Sequence, residues 1–501
     1  MQFVGHKCLK CVTHKKMNLI EIAVIGAGPA GVSAAVAAAE AGAKVTLIEE
    51  YARPGGQYYK QPAASLHPHK LPHSLGDNLH HGRELLAGLK NPDIDLRCNT
   101  LVWNITPERV LDLYGPNGHQ VERLQAKKVI IASGAYERVV PFPGWTLPGV
   151  TTVGAAQLML KGQGLLLGQK ILIAGTGPLL QLAAVQLLDA GAEVVAIAEL
   201  QSRAEFFAHA SKLFGQWSKI GQGMANQKRL MEAGVPIKYG HAVIRALGEN
   251  QVEGAVTAKV DSAGRPVAGS EEAVTADTVC INFGFVPATE LTRLAGCEQK
   301  FDPNFGSLAT VTNPDFETSC KGIFAVGEVR GIGGVEVALL EGRIAGGVAA
   351  RQLGYQPDGH DVRKEWQKAR ASVESLGAMF AVKPGLFEAI ADDVLVCRCE
   401  EVTAGAIRAA ARSGAVNLNS LKAWNRCGMG RCQGRTCGPA TAQIVAAETG
   451  VSVESAGVFK ARIPIKPVPL AVVGAVEDTH PTGSAMEDHV GYGKAVIRGT
   501  T

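Results

Sequence analysis

Long apolar runs are missing from this 501-residue sequence, and no uninterrupted stretch is long enough to cross a bilayer, so a membrane-spanning helix is not expected. A large charge excess is missing too. Fifty Lys and Arg against 46 Asp and Glu leave a net charge of +4, and no basic stretch is interleaved with aromatics, which argues against nucleic acid as a partner. The first residues, MQFVGHKCLKCVTHKK, have no apolar core of the secretory kind. A reducing, cytoplasmic setting is therefore expected, in which the 11 cysteines serve as thiols or metal ligands rather than disulfides.

Residues 1–16 are also without pattern, and are expected to be a disordered extension ahead of a natural start at Met17. His6, Cys8, Cys11 and His14 form a nominal zinc donor set there. Structural zinc needs a packed surrounding shell, so a chance occurrence in a tail is the preferred reading.

What is present is a repeat. IEIAVIGAGPAGVSAAVAAAEAGAKVTLIEE at 20–50 and QKILIAGTGPLLQLAAVQLLDAGAEVVAIAE at 169–199 each read as strand, glycine turn, Ala- and Leu-rich helix, and second strand. Two such units predict an α/β fold with two doubly wound dinucleotide-binding domains.

In the first unit Gly26, Gly28 and Gly31 form G-x-G-x-x-G directly after a strand, with Pro29 and Ala30 opening the helix. Gly26 makes the turn, Gly28 admits a pyrophosphate, and Gly31 lets helix and strand approach. The helix N-terminus then favours the anion. Glu49 ends the next strand at the distance where an acid accepts from ribose hydroxyls.

The second unit keeps Gly175 and Gly177, but Leu180 replaces the third glycine. Aligned without gaps, Ala198 stands where Glu49 does, and Glu199 follows one residue late. One reading is an NAD(P)H site. The preferred one is a retained domain that binds another nucleotide or none.

Arg53-Pro54-Gly55-Gly56-Gln57 follows the ribose acid. Here the chain resembles the pyridine-nucleotide-disulfide-oxidoreductase-like flavoproteins, in which such a segment lies along FAD. The resemblance extends to Ser133 and Gly134 in VIIASGAYER, and to Gly327 and Glu328 in IFAVGEVRG, where an acid after glycine holds the ribityl chain. That acid is usually Asp, so Glu328 implies altered geometry near the isoalloxazine. The redox-active Cys-x-x-Cys of that superfamily is absent from both units; Cys98, Cys280, Cys297 and Cys320 stand alone and read as ordinary buried residues, which excludes a disulfide reductase.

Near the C-terminus Cys397-x-Cys399 is followed by Cys432-x4-Cys437. Two close thiolate pairs suit a [2Fe–2S] cluster with one pair per iron, and Zn(Cys)4 is the rival. Gly428, Gly430, Gly434 and Gly438 keep the loop open and turn backbone N–H groups towards sulfur. Cys427 has no place in the spacing and reads as a bystander. CRCEEVTAGAIRAA and NRCGMGRCQGRTCG together resemble the bacterioferritin-associated-ferredoxin (BFD) type of [2Fe–2S] domain, which implies the cluster.

Over almost its whole length the chain resembles the α (A) subunits of heteromeric dye-linked amine dehydrogenases, a group that includes opine oxidase, D-hydroxyproline dehydrogenase and dye-linked L-proline dehydrogenase, with the B subunit of hydrogen cyanide synthase as a cousin. The resemblance rests on RPGGQ, ASGAYERVVPFPGWTLPGV, AGTGPLL, GIGGVEVALLEGRIAG, the cysteine segment and KPVPL. It implies this order: an extension at 1–16; the FAD-binding domain in two parts, 17–150 and 276–355; a degenerate NAD(P)-like domain at 151–275; a helical linker at 356–390; the BFD-like domain at 391–450; and an extended tail at 451–501.

The resemblance further implies a separate β subunit, similar to D-amino-acid oxidase, that oxidises the amine. A small third subunit, a second nucleotide (NAD(P) or ATP), an FMN at a subunit interface, and attachment to the inner membrane through partners are further possibilities it leaves open. The residues agree, since no general base or nucleophile constellation stands out. His67, His69, His73, His80 and His81 cluster after Gln57 and read as solvated loop residues. The expected chemistry is two-electron input at a flavin and one-electron output through the cluster. A free-standing NAD(P)H-dependent reductase and a redox-regulated scaffold with a structural cluster are the alternatives.

Overall fold

Short apolar strands alternating with Ala-rich helices can bury both faces of a parallel sheet, and the computed structural model shows two such sheets. It describes residues 18–63, 71–115, 121–209, 217–303, 305–357 and 361–475. The four residues of the nominal N-terminal zinc set, His67, His69 and the tail beyond 475 lie outside the described residues.

The first sheet runs Ile94–Arg97, Val45–Ile48, Asn18–Ile25, Val121–Ile131, then antiparallel Val110–Tyr114 and Leu101–Ile105; Ile323–Ala325 also pairs with Val121–Ile131. The helices Pro29–Glu40 and Gly334–Gln352 lie together over it. They touch at glycines, for a Cβ on Gly342 would meet Ala30 O at 2.1 Å and one on Gly346 would meet Ala34 O at 2.2 Å. Phe316 and Phe324 are fully buried beneath them, each contributing roughly 2–3 kcal/mol of burial.

The second sheet is parallel, in the order Ile237–Tyr239, Glu193–Glu199, Lys170–Gly175, Thr278–Asn282, Val150–Thr152. The strand at 278–282, which the sequence reading placed in the first domain, belongs to this sheet, because Thr278–Asn282 pairs in register with Ile171–Gly175. The chain returns to the first domain only afterwards, through the ribbon of Phe285–Pro287 with Ala135–Glu137.

The helix Arg363–Met379 leads to the cysteine-bearing module, which pairs Leu395–Cys397 with Val402–Thr403 and adds the helices Ala404–Arg412, Leu418–Asn425 and Gly438–Thr449. Asn417 caps the second of these, its side chain accepting the Ser420 N–H at 2.9 Å. Phe142 and Trp145 share one core with Ile407, Leu421 and Val445 of the module. Among the described residues no helix is long and apolar enough to cross a membrane.

Candidate functional site

The first sheet's leading strand ends at Gly26, with φ of +98°. A Cβ there would meet Ala132 O at 2.4 Å, and one on Gly31 would meet Gly26 O at 1.8 Å. Only glycine fits either place. Pro29 opens the helix where its missing N–H costs nothing. A Cβ on Gly56 would meet Gly28 Cα at 2.7 Å, and Gly55 N–H donates to Ala27 O at 2.7 Å, so the RPGGQ loop lies on the glycine turn. Arg53 donates to Pro62 O, and Gln57 is exposed. On the opposite side a Cβ on Gly327 would come within 3.0 Å of Ala30 Cβ.

Two carboxylates face this cradle. Glu49 accepts Ala27 N–H at 2.7 Å on one oxygen and Tyr51 N–H at 2.9 Å on the other. Each oxygen keeps a second lone pair for a hydroxyl. Burial raises the Glu49 carboxyl above its ordinary range, and the two N–H donors work against that. Glu328 Oε1 accepts Gly334 N–H at 2.7 Å, whereas Oε2 is enclosed without a partner. Burial pushes this carboxyl up to about 7. Ser133 Oγ donates to Ala288 O at 2.7 Å and Gly134 O accepts Ala288 N–H at 3.0 Å, so that turn also holds the returning chain.

In the module, the sulfurs of Cys397, Cys427 and Cys437 lie within 4.8 Å of one another, and all three residues are buried. Cys399 is exposed and Cys432 half-buried, outside that group. The spacing argument set Cys427 aside; the structure turns it inward because Arg426 adopts φ of +62° and ends the preceding helix. That helix end, followed by Gly428, was the available signal. Gly430 packs so closely on the Cys-x-Cys turn that a Cβ would lie 2.1 Å from Cys399 Cβ.

Hydrogen bonds from the Cys427 and Cys437 thiols, joined by the Gly428 and Glu400 N–H groups, hold the Cys397 thiol well below its ordinary range. The same contacts with Cys397 push the other two up. Cys437 stands at the N-terminus of the helix Gly438–Thr449, whose positive end favours thiolates. The donor set is all sulfur and fits a thiophilic metal centre.

The model of the pyridine nucleotide-disulphide oxidoreductase family matches residues 20–354, and that of the sarcosine oxidase A3 domain matches 393–477. The chain belongs to the pyridine nucleotide-disulphide oxidoreductase family. It is a flavin-dependent oxidoreductase. It is 35% identical to the A subunit of opine oxidase from Rhizobium meliloti (strain 1021), over 91% of this chain and 99% of that one. It is 32% identical to the HcnB subunit of hydrogen cyanide synthase from Pseudomonas aeruginosa, over 91% and 98%. The L-proline dehydrogenase of P. horikoshii has the same fold, with a TM-score of 0.66 at 20% identity over 93% of this chain and 81% of that one.

The family implies FAD, and the first site fits it: Gly26 and Gly31 exclude side chains while Gly28 stays open, the acid Glu49 is buried at the end of the second strand, and Glu328 Oε2 is an enclosed carboxylate oxygen without a partner. The family's second nucleotide site needs a correction. Glu199, not Ala198, plays the part of Glu49. One of its oxygens accepts Gly177 N–H at 3.2 Å and the other Gln201 N–H at 3.0 Å, the same pair of contacts. An irregularity between Val194 and Ala196 shifts the register and absorbs the extra residue, which ungapped alignment cannot see. Burial pushes Glu199 up to about 7.

Leu180 is fully buried in the core, and Gly177 adopts φ of +112° where Gly28 has −75°, so the two turns differ. The segment 380–383 crosses beside this acid: Gln201 Nε2 donates to Ala381 O at 2.9 Å, and Lys383 pairs with Glu205 at 2.9 Å. One further sequence reading changes and one does not. Cys297 and Cys320 do not stand alone, since both meet at Thr318: Cys297 Sγ donates to Thr318 Oγ1 at 3.3 Å and the Cys320 N–H donates to the same oxygen at 3.2 Å. His80 and His81 are exposed beside Glu84, as solvated residues should be.

Proposed function

We propose that this chain is the electron-relaying subunit of a heteromeric flavin dehydrogenase acting on a secondary amine or amino acid of the opine, hydroxyproline or proline type. The observation that carries this reading is a joint. Tyr136, just beyond Ser133 and Gly134, accepts a hydrogen bond at 2.9 Å from Arg435, which lies between Cys432 and Cys437. A half-buried hydrogen bond therefore joins the segment that leaves the flavin cradle to the cysteine loop.

Bound FAD accepts a hydride and releases electrons singly. Glu49 would hold the adenosine ribose, Glu328 the ribityl chain, and the turn Gly26–Gly31 the pyrophosphate. Cys397, Cys399, Cys432 and Cys437 would hold a [2Fe–2S] cluster, with backbone N–H groups at Cys397 favouring its thiolate. Amine oxidation is assigned to a partner β subunit, and the final acceptor to a respiratory or artificial carrier. The support for a partner is that the relatives are themselves named as subunits.

Glu199 favours one second reading, a stand-alone NAD(P)H-dependent reductase, because the ribose acid of the second site is in place. Anaerobic titration with NADH and NADPH, followed by dithionite, separates the two. Bleaching of the flavin by either nucleotide would overturn the subunit reading in favour of the reductase. Bleaching by dithionite alone, with reduction by an amine restored on adding the co-expressed partner, is the expected result.

A further inference from the structure

Two overlapping cysteine sets occupy the C-terminal module. One is the spacing set, Cys397, Cys399, Cys432 and Cys437, on which the proposed [2Fe–2S] reading rests. The other is the buried group Cys397, Cys427 and Cys437, with all three sulfurs within 4.8 Å of one another. A tetrahedral ion with metal–sulfur bonds of about 2.3 Å holds its thiolates about 3.8 Å apart. The inner three need close by only about 1 Å to face a single ion. A two-iron cluster divides its thiolates between two metals, and three sulfurs gathered this tightly suit one.

We propose that Cys397, Cys427 and Cys437 form a second binding state of the module, a three-thiolate site for one thiophilic ion of the zinc class. The two states share Cys397 and Cys437, so each excludes the other. A bound zinc-class ion therefore blocks assembly of the cluster, and this consequence rests on the cluster reading above.

The surroundings fit. Cys427 Sγ has Thr441 Oγ1 at 3.5 Å as a further contact. The nearby Glu400 is engaged by Arg426 at 2.8 Å, which leaves an all-sulfur donor set that selects soft ions over Mg²⁺ or Ca²⁺. Each thiol gives its proton to solvent as it binds.

The test uses the full chain, stripped of metal and titrated with Co²⁺ as a spectroscopic probe and with Zn²⁺ as competitor. One equivalent of cobalt with sulfur charge-transfer absorption is expected. The double variant Cys399→Ser, Cys432→Ser should keep that band. Cys427→Ala should weaken cobalt binding by at least roughly tenfold. Ferric iron and sulfide are then added after zinc loading. The unsubstituted chain should assemble little cluster, and Cys427→Ala should assemble it despite the zinc.

Loss of the cobalt band in the Cys399/Cys432 variant, or unchanged cobalt binding in Cys427→Ala, overturns the proposal. Far-ultraviolet circular dichroism of the metal-free chains checks the fold, and Cys427→Ser is read in the same way where Cys427→Ala does not fold. A chain that binds cobalt as described but never builds an iron–sulfide chromophore keeps the inner site and removes the cluster reading. A chain that builds the chromophore but binds no cobalt does the reverse.

Discussion

Arg435 Nε donates to Tyr136 Oη at 2.9 Å, and the same guanidinium reaches Cys432 O at 3.1 Å, Ile465 O at 2.9 Å and the Glu290 carboxylate at 3.1 Å. One buried side chain thus ties the cysteine loop to the strand that leaves the flavin cradle. Burial, and then the Glu290 charge, raise the Tyr136 phenol, so it stays protonated at any working pH. The pair is neutral phenol against cation, with Glu290 as the balancing charge.

The parts of that joint are unequal. Tyr136→Phe removes one hydrogen bond and should cost about 1 kcal/mol. Arg435→Met takes from Glu290, whose side chain is only 15% exposed, its ion-pair partner and leaves it only the charge of Arg293, and should cost about 3 kcal/mol. Urea unfolding of the two variants measures both. Equal losses would show that the ion pair contributes no more than the phenol contact.

The glycines of the first turn separate folding from binding. A Cβ on Gly28 meets only Gly56 Cα at 3.8 Å, an ordinary contact, and its φ of −75° suits any residue. Gly28→Ala should therefore unfold at the unsubstituted temperature while purifying with several-fold less flavin, because the added methyl occupies the pyrophosphate's approach. Gly31→Ala would press on Gly26 O, 1.8 Å from the new Cβ, and should lower stability by roughly 2–3 kcal/mol as well. Full flavin content in both variants would remove the pyrophosphate from this turn.

The strap across the second site gives a prediction of opposite sign. Lys383 is held by Glu205, and Ala381 O by Gln201, two residues after Glu199. Lys383→Ala releases this segment and should strengthen binding of an adenine nucleotide several-fold, read by equilibrium dialysis with ATP and NADH. Weaker binding would mean that Lys383 itself touches the nucleotide.

Much of this arrangement was legible in the residues. The first cradle was, because three of its glycines answer a local steric demand: Gly26, Gly31 and Gly56 would all collide with backbone if they carried a Cβ. What was illegible depends on pairing between distant strands. Glu199 looked displaced because the irregularity near Val194 is invisible to a residue count. Thr278–Asn282 looked like the start of the returning first domain, because only its register with Ile171–Gly175 assigns it to the second sheet. Cys427 had no partner in any spacing rule, since the backbone at Arg426, not the interval, decides where it points. The Tyr136–Arg435 joint spans two modules and leaves no trace in either segment alone.

Buried carboxylates set the pH dependence of the flavin-free chain. Glu199 and Glu328 are each raised from an ordinary 4.5 to about 7 by burial. Below 4.5 both are protonated whether the chain is folded or not, and neither opposes folding. Between 4.5 and 7 the folded chain keeps protons that the unfolded chain releases, so stability falls as pH rises. Above 7 the full cost is present, at most about 3 kcal/mol for each group. Glu49 is raised in the same direction and adds to the trend. The stability lost between pH 5 and pH 8 should therefore shrink in Glu199→Gln and in Glu328→Gln, by urea unfolding at both pH values. Flavin should also reduce it, because a ribityl hydroxyl donating to Glu328 Oε2 favours the ionised form and lowers that carboxyl. A flavin-loaded chain with the same pH slope as the flavin-free chain would place the ribityl chain away from Glu328, and an unchanged slope in Glu328→Gln would place its carboxyl in contact with solvent.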